Sequence, residues 1–574
     1  MAVDTLQKLP REYPRKFVPA KLEIKSFADV EPLFDKLLKA DVSTKAKLEQ
    51  WMKDDAELSA AIDEFGSRVQ IRMTLDTTSE AYKKAFLDFV ENFEPKLKPI
   101  AEKLQRKFKD SPARKDLDPK RYAVYERSVL NRLELFREAN IPLETEEAKL
   151  EQKYSEIMAA TMVKFEGKDY TPQAMALFLL ETDRVRREAS WRAAAERRYK
   201  DADAVNNLYD KLIRLREKKA ANAGFKNYRD YQFRRRERFD YTPAHCEAYH
   251  KAAEEVIVPV VERIAEKRRK KLGVDKLRPW DLAVDPDGKP PLKPFTDVEK
   301  LSAGCAKIFH KVDKDLGKQF DAMRKLGLLD LDNRKGKAPG GYQSTLQEVR
   351  LPFIFMNAVG LDNDVRTLLH EGGHAFHAWA FRDEPLTDYR NAPIEFCEVA
   401  SMSMELLANP YMDEFYKKED LKRARRGYFQ DLLKLLPWIA TIDAFQQWIY
   451  TRPGNTIEER EDAWVKIYRR FNTVGDLTGL DYYERTRWQA QGHLFGAPFY
   501  YIEYAIAQLG ALQVWLNAKK DRKAAIANYR KAMALGNSRP LPELFKAAGA
   551  KFDFGPKTVK PLVEAVEEEL ASLE

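Results

Sequence analysis

The feature that most constrains the fold is a helical hydrophobic pattern that runs through most of the 574 residues. Apolar side chains recur at three- and four-residue spacing in segments such as 121–140, 143–163, 183–223 and 242–272, which is the period of an amphipathic α-helix. Glycine and proline, the helix breakers, number only 24 and 29. Around 164–170 the pattern weakens at a glycine, which indicates a turn or short hairpin. We therefore predict a mainly α-helical protein.

One segment, 327–360, departs from this pattern, because short apolar or alternating stretches replace the helical period. We predict strands over 328–331, 342–345 and 350–357, which form one small sheet beside the helices. Pro352 lies in the last of these strands and has no backbone N–H to donate. We therefore expect that strand at an edge of the sheet.

Charge and cysteine content exclude several classes of protein. The 100 Lys and Arg are interleaved with 91 Asp and Glu, so basic runs such as 234–236 are expected to be solvated helix faces rather than nucleic-acid or membrane sites. The N-terminus lacks an apolar secretory segment, and no apolar run suits a bilayer span. Cys246, Cys305 and Cys397 are too few for a disulfide framework. We expect a soluble cytoplasmic protein.

The motif most informative about chemistry is HEGGHAFH, at 370–377. His370 and His374 are four residues apart on a predicted helix, so both imidazoles can bind one metal ion. Glu371 lies about 100° around the helix from His370, near the water that such a metal would activate, where a general base is needed. Asp364 is a candidate N-cap for this helix. The alternative is a helix with two incidental surface histidines.

A third protein ligand is expected, because catalytic zinc sites usually have three and one open position. His377 lies about 10.5 Å of helix rise from His370, so we predict a buried, hydrogen-bonded residue that supports the ligands rather than a ligand. The next predicted helix, 393–407, carries three glutamates, Glu395, Glu398 and Glu405. Glu395 and Glu398 are three apart, so either could bind the metal while the other orients a ligand histidine.

The chain resembles the thimet oligopeptidase and oligoendopeptidase F family of zinc peptidases, and most closely its bacterial oligoendopeptidase F branch. The resemblance rests on HEGGHAFH followed, 28 residues after its first histidine, by the glutamate of FCEVASMSMELL. Carried over residue by residue, it implies one Zn²⁺ held by His370, His374 and Glu398. It also implies that Glu371 is the general base and that Glu395 is an acidic residue supporting the ligands.

The resemblance continues at 491–508, which reads QGHLFGAPFYYIEYAIAQ. There it implies that His493 and Tyr504 donate hydrogen bonds to the tetrahedral intermediate, with Tyr501 beside them. The residues themselves agree, since Pro498 can begin a helix in which Tyr501 and Tyr504, three apart, share a face. The alternative for the tyrosines is a stripe of core aromatic side chains.

Two segments are candidates for substrate binding. Many zinc peptidases hold an extended substrate by main-chain bonds to an apolar strand before the motif, so Phe355 and Asn357 in 353–357 are predicted to align the peptide. The resemblance also implies a mobile Gly-rich loop near the substrate, which predicts roles for Gly341 and Tyr342. An ordinary hairpin connection is the alternative for this loop.

The resemblance implies a two-lobed helical peptidase with a deep channel. Residues 1–200 would form the N-terminal lobe that covers the channel, and residues 201–574 the catalytic region. The predicted activity is zinc-dependent endopeptidase action on short unstructured peptides, without nucleic-acid or membrane partners. One alternative is a carboxypeptidase or dipeptidyl carboxypeptidase on the same scaffold, which needs a cation for the substrate's free carboxylate. Another is a helical peptide-binding protein that has lost catalysis.

Overall fold

The structure is a computed structural model that describes residues 9–574. These residues contain 24 α-helices, numbered in chain order, and the predicted mainly α fold class is confirmed. Helices α1 to α12 are, in order, Glu31–Lys39, Lys45–Leu75, Glu80–Asp88, Glu94–Asp110, Pro119–Leu135, Ile141–Ala159, Pro172–Phe178, Arg184–Tyr199, Ala202–Asn222, Tyr228–Arg235, Pro243–Ala252 and Val258–Leu272. Helices α13 to α24 are Val298–Val312, Lys314–Lys325, Asp362–Ala380, Ile394–Ala408, Lys418–Tyr450, Ile457–Phe471, Asp481–Thr486, Gly492–Gly496, Ile502–Lys520, Arg522–Met533, Leu541–Ala547 and Pro556–Ser572.

Shorter helical segments join these helices. The 3₁₀ helices are Phe27–Asp29, Pro112–Asp116, Glu138–Asn140, Pro279–Asp281, Thr387–Arg390, Asn409–Glu414 and Arg487–Ala490. Two π-helical turns lie at Phe89–Phe93 and Ala253–Ile257. The second of these turns interrupts the helix predicted over 242–272, and the helix predicted over 183–223 is the pair α8 and α9. In the part of the chain that the structure describes, no helix is both long and apolar enough to cross a bilayer.

The described chain folds into two compact units, each assembled from three stretches of sequence. Unit 1 comprises the residues up to Glu134, Lys293–Leu421 and Gly510–Phe552. Unit 2 comprises Leu135–Leu292, Lys422–Leu509 and Asp553–Glu574. The predicted division at residue 200 separates a channel-covering lobe from a catalytic region. It is a division by function, and it stays a prediction.

Five short strands form two small sheets. Strands β1 (Val163–Phe165) and β2 (Lys168–Tyr170) make an antiparallel hairpin in unit 2, where the sequence indicated a turn or hairpin. The second sheet, in unit 1, is formed by β3 (Leu329–Asp332), β4 (Tyr342–Leu346) and β5 (Leu351–Ala358). Its strand order is β3-β5-β4, with β3 parallel and β4 antiparallel to β5.

The prediction that the strand containing Pro352 is an edge strand is wrong, because β5 is the central strand. The backbone N–H of Ile354 donates to the carbonyl oxygen of Leu328 at 2.9 Å, on the β3 side. Alternate residues of a strand point the same way, so the missing N–H of Pro352 also faces that side. Pairing with β3 begins only at Leu329, opposite Ile354, so Pro352 leaves no ladder hydrogen bond unmade.

Candidate active site

Helices α15 and α16 bring His370, His374 and Glu398 together in unit 1. Their ligand atoms lie within 4.8 Å of one another, and within residues 9–574 they are the one group of three that could hold a metal ion. The Nε2 atoms of His370 and His374 are 3.3 and 3.6 Å from Oε2 of Glu398. The structure therefore places the three predicted ligands around one point.

The hydrogen bonds of the two imidazoles leave their metal-binding nitrogens available. Nδ1 of His370 is 2.7 Å from Oε1 of Glu405. Because a carboxylate accepts, Nδ1 carries a proton, and Nε2, which faces Glu398 at 3.3 Å, is the ring nitrogen directed at the position of a metal. His374 makes a hydrogen bond to the backbone of Cys397. Two oriented imidazoles and one carboxylate are a donor set that fits a catalytic divalent metal.

The carboxylate that contacts His370 is Glu405, a role that was not predicted for it. Glu405 follows Glu398 by seven residues, which is about two helical turns, so both face the same side of α16. That spacing could have identified it. Glu395 is also buried on α16, and its supporting role stays a prediction.

Two glycines allow α15 to pack closely on its neighbours. A Cβ on Gly373 would lie 2.5 Å from Cα of Ser401 and 2.8 Å from the carbonyl oxygen of Ala400, both in α16. A Cβ on Gly372 would lie 2.5 Å from the ring of Phe309. The close approach of the α15 and α16 backbones is what lets Glu398 reach the two histidines.

Helix α15 begins three residues earlier than an N-cap at Asp364 would require. Asp364 is the third residue of the helix, and its Oδ2 accepts from the backbone N–H groups of Val359, Gly360 and Leu361, each at 2.9 Å. The predicted N-cap position is therefore wrong, but the carboxylate still satisfies donors at the start of the helix. These bonds fix the connection from β5 to the motif helix.

Glu371 is buried beside the ligand cluster, with 7% of its surface exposed. Burial raises the pKa of its carboxyl to about 7, and the backbone N–H of Gln343 in β4 donates to it. Glu398 is buried as well, yet the neighbouring His374 and His370 outweigh that burial and lower its pKa to about 2. Two glutamates with separated pKa values can play different roles, one exchanging a proton and the other remaining a carboxylate.

His377 is buried, as predicted, one turn beyond His374. Its ring packs against Phe381 and Phe396, with centroid distances of 5.1 and 5.8 Å. Burial lowers its pKa to about 3, and within residues 9–574 no hydrogen-bond partner reaches its Nε2. The surroundings of His377 are apolar, and its predicted supporting role is not tested by these contacts.

The residues predicted to align a substrate lie inside the sheet. The backbone of Phe355 pairs with Asp330 on one side and Tyr342 on the other, and its ring stacks on Tyr342 at 4.8 Å. The side-chain amide of Asn357 donates to the carbonyl oxygens of Ala338 and Gly340 at 2.8 and 2.9 Å. Their predicted contact with substrate stays a prediction. Within the described residues the sheet has two edges unpaired by a strand, the outer edges of β3 and β4, and β5 has none.

The Gly-rich loop before β4 is tied to the end of α2. The backbone N–H of Ala338 donates to the carbonyl of Thr74 at 2.8 Å, and that of Thr77 to the carbonyl of Gly336 at 2.6 Å. A Cβ on Gly341 would lie 3.3 Å from the carbonyl oxygen of Phe355. Glycine at this position therefore lets the loop run close to β5. The mobility implied for the loop stays a prediction.

The structure brings His493, Tyr501 and Tyr504 together in unit 2. The ring centroids of Tyr501 and Tyr504 are 4.9 and 6.1 Å from that of His493. The prediction that Pro498 begins the tyrosine helix is wrong, because Phe499 has a left-handed φ of 63° and α21 begins only after Tyr501. Tyr501 thus precedes the helix that contains Tyr504.

Two buried arginines and one half-buried arginine hold this irregular segment, and the sequence pattern did not reveal them. Three guanidinium groups donate to four of its carbonyl oxygens, Arg216 to Leu494 and Phe495, Arg236 to Pro498, and Arg238 to Phe499. Glu503 lies 2.7 Å from Arg238 and 3.4 Å from Arg236, and compensates their charge. The expectation that the run 234–236 is a solvated face is therefore wrong for Arg236. Its guanidinium is used inside the fold.

The side-chain amide of Gln491 contacts the imidazole of His493, and a second contact of that amide defines the direction of the hydrogen bond. Nε2 of Gln491 lies 2.7 Å from Nδ1 of His493, and the indole Nε1 of Trp438 donates to Oε1 of the same glutamine at 3.1 Å. Burial and the nearby positive charge of Arg236 lower the pKa of His493. Both effects favour the neutral imidazole.

Comparisons with known proteins agree with this geometry. A family model described as peptidase family M3 matches residues 177–562, and one described as the peptidase M3 N-terminal domain matches residues 17–136. Oligopeptidase PepF of Bacillus subtilis (strain 168) is 24% identical over 336 residues, or 55% of this chain and 47% of that protein. The chain thus spans about half the length of the curated relatives it matches.

Two solved structures cover the chain almost completely. One is an X-ray structure of a protein assigned as oligoendopeptidase F, and the other is PZ peptidase A with an inhibitor. Each is 30% identical, has a TM-score of 0.88, and covers 97% of this chain and 99% of its own. The resemblance that rested on HEGGHAFH and FCEVASMSMELL is confirmed. With a family model matching about two thirds of its residues, the chain belongs to peptidase family M3, a family of metallopeptidases.

Proposed function

We propose that this protein is a zinc-dependent endopeptidase that hydrolyses internal bonds of short unstructured peptides. The observation that carries the proposal is the convergence of His370, His374 and Glu398 beside the buried Glu371 in an M3 family chain. Two imidazoles and one carboxylate suit zinc. When bound, the metal supplies Lewis-acid polarisation of the scissile carbonyl and makes a water nucleophilic at neutral pH.

Glu371 is the general base in this proposal. With a pKa raised by burial to about 7, its carboxylate takes the proton of the attacking water and delivers it to the leaving amine at neutral pH. Glu398 stays ionised, because His374 and His370 hold its pKa low against the effect of burial. Its hydrogen bond from Ser401 Oγ, at 3.0 Å, fixes the orientation of that carboxylate.

The outer edge of β4 aligns the peptide backbone. Ile354 of β5 donates its backbone N–H toward β3. The residues immediately before and after it therefore direct their backbone N–H and C=O groups toward β4, where their partners are Ser344 and Tyr342. The backbones of Gln343 and Thr345 therefore point away from β5. The N–H of Gln343 reaches Glu371, so a peptide paired along this edge would lie next to the base. This replaces the alignment on β5 that the sequence predicted.

His493 and Tyr504, with Tyr501 beside them, donate hydrogen bonds to the oxyanion of the tetrahedral intermediate. One such donor contributes about 3 kcal/mol to transition-state stabilisation. The clustering of the three rings in unit 2 supports a shared role.

The remaining parts of the proposal concern substrate size and location. A lobe of residues 1–200 over a catalytic region of residues 201–574 would select short peptides sterically, because a folded protein could not enter the channel between them. Phe355, Asn357, Gly341 and Tyr342 would shape the substrate side of the sheet. The three cysteines are free thiols, which suits a cytoplasmic location. Nucleic acids and membranes are not expected partners.

Internally quenched peptides test the activity. We expect cleavage of end-blocked peptides at internal bonds, loss of turnover after chelation, and recovery with zinc. Cleavage that requires a free C-terminus would instead favour a carboxypeptidase or dipeptidyl carboxypeptidase. Binding without turnover in the zinc-loaded protein would favour a peptide-binding relative that has lost catalysis.

The ligand assignment has a matched control within α16. We expect Glu398→Ala to lose bound zinc, because it removes the only carboxylate ligand of the proposed set. Glu395→Ala, one turn earlier on the same helix, should keep it. Metal content per chain, measured after gel filtration, separates them. Zinc lost from Glu395→Ala and kept by Glu398→Ala would reverse the assignment.

A further inference from the structure

The contacts of His493 form a short relay whose direction is fixed at one end. Trp438, on α17, donates its indole N–H to Oε1 of Gln491 at 3.1 Å. The amide nitrogen of Gln491 then lies 2.7 Å from Nδ1 of His493. No other arrangement of the amide satisfies the indole, because an indole nitrogen can only donate and an amide nitrogen cannot accept from it.

We propose that Trp438 and Gln491 are positioning residues that hold His493 in the tautomer with its proton on Nε2, so that the ring acts as a neutral hydrogen-bond donor. An amide NH₂ group only donates, so Nδ1 of His493 has to accept. The single ring proton is then on Nε2. The catalytic meaning of this inference rests on the proposed function. It deepens that function by stating that one oxyanion donor, His493, presents an N–H group at Nε2 rather than a lone pair.

The same amide also sets the hydroxyl of Tyr501. The Tyr501 hydroxyl lies within reach of the amide of Gln491. The single indole N–H of Trp438 is used by Oε1 of Gln491, so the second amide N–H of Gln491 is the donor. The oxygen of Tyr501 accepts, and its own proton is left to donate elsewhere. One amide, oriented by one indole, thus leaves both His493 and Tyr501 as donors.

The charge around His493 favours the neutral ring that this relay requires. Burial and the positive charge of Arg236 lower the pKa of His493, and the rings of Tyr500, Tyr501 and Tyr504 surround it. A neutral Nε2–H group can stabilise an oxyanion without giving up its proton. The opposite tautomer would present a lone pair at Nε2 and repel the oxyanion.

Nuclear magnetic resonance of the full chain labelled with ¹⁵N-histidine tests the tautomer directly. The chain has seven histidines, and the signals absent from His493→Ala identify His493. We expect an unprotonated Nδ1 and a protonated Nε2. A protonated Nδ1 in the wild-type protein would overturn the proposal. This measurement needs no turnover, so an inactive wild-type protein would refute the proposed function without affecting the tautomer result.

Two variants test whether the relay sets the tautomer. Trp438→Phe removes the indole donor, so the amide can rotate and we expect a mixture of tautomers. Gln491→Glu supplies an acceptor, so we expect the proton to move to Nδ1, and kcat to fall about 10²-fold with KM unchanged. Trp448→Phe, also half-buried on α17, is the matched control. If His493 keeps the wild-type tautomer in both folded variants, the two residues do not position it.

Discussion

The ligand cluster of unit 1 and the His493 segment of unit 2 are built in opposite ways. In the cluster, every proposed ligand lies on one of two regular helices, α15 and α16. In the segment 491–504, the proposed donors lie on a five-residue helix, after a left-handed residue, and on the first turn of α21. Helical periodicity sets the first arrangement, whereas arginines distant in sequence hold the second.

This difference separates what a sequence pattern can encode from what it cannot. A spacing of four residues puts His370 and His374 on one helix face wherever that helix lies. No spacing relates His493 to Arg216, which lies more than 270 residues earlier and donates to the next carbonyl groups along the chain. We therefore expect substitutions in the cluster to act on the metal or the base, and substitutions around the segment to act on the position of the donors.

The largest effect is expected from Glu371→Gln. The substitution keeps the size of the side chain and removes the base, so kcat should fall about 10³-fold. Bound zinc should be unchanged, because Glu371 is not one of the proposed ligands. Turnover of a quenched peptide and metal content per chain measure the two quantities. Turnover within tenfold of wild type would remove Glu371 from the role of base.

Much of the cluster was predictable, and its errors have local causes. The convergence of His370, His374 and Glu398 beside Glu371 followed from helix spacing and the family resemblance. The central position of β5 was not predicted. A proline excludes a strand from the centre of a sheet only when a neighbouring strand pairs with the side that its missing N–H would face, and β3 does not extend to a position opposite Pro352. Arg236 was assigned to solvent because the pattern of charges alone does not reveal a carbonyl supplied by Pro498.

A smaller effect should follow from Glu405→Gln, which tests the residue whose contact with His370 was not predicted. Gln keeps an oxygen that accepts from Nδ1 of His370 but loses the charge that strengthens the bond. Zinc affinity should fall about 10- to 100-fold. Titration with a competing chelator measures it.

The matched control for this prediction is Glu395→Gln on the same helix. The resemblance implies Glu395 as the supporting acid, whereas the structure places Glu405 at the histidine, 2.7 Å from Nδ1. A large loss of affinity in Glu395→Gln, with none in Glu405→Gln, would favour the resemblance over the observed contact.

Gly373→Ala tests whether close helix packing holds the cluster. Its Cβ would lie 2.5 Å from Cα of Ser401, and backbone cannot rotate away, so overpacking should lower the free energy of unfolding by about 1–3 kcal/mol. Gly372→Ala should cost less, because its Cβ meets the ring of Phe309, a side chain that can move. Denaturant unfolding of the metal-free variants compares the two. Equal costs would mean that the contact with α16 is not the tighter constraint.

The smallest effect is expected in unit 2, from Arg236→Lys. Lysine keeps the charge beside Glu503 but lacks the planar fork that lets Arg236 donate to the carbonyl of Pro498 and to Glu503 together. The donors should shift slightly, lowering kcat about 10-fold with little change in KM. The matched control is Arg235→Lys, since Arg235 is the exposed neighbour and its ion pair is with Glu144, 3.8 Å away.

The outcome of this pair bears on the whole comparison. If Arg236→Lys lowers kcat while Arg235→Lys does not, one basic run contains both a solvated residue and a residue that positions catalytic groups. Only the location of an acceptor such as Pro498 distinguishes them. If both variants keep full kcat and the same unfolding midpoint, Arg216 and Arg238 suffice to hold the segment. The bond from Arg236 would then contribute nothing to the position of His493 or Tyr504.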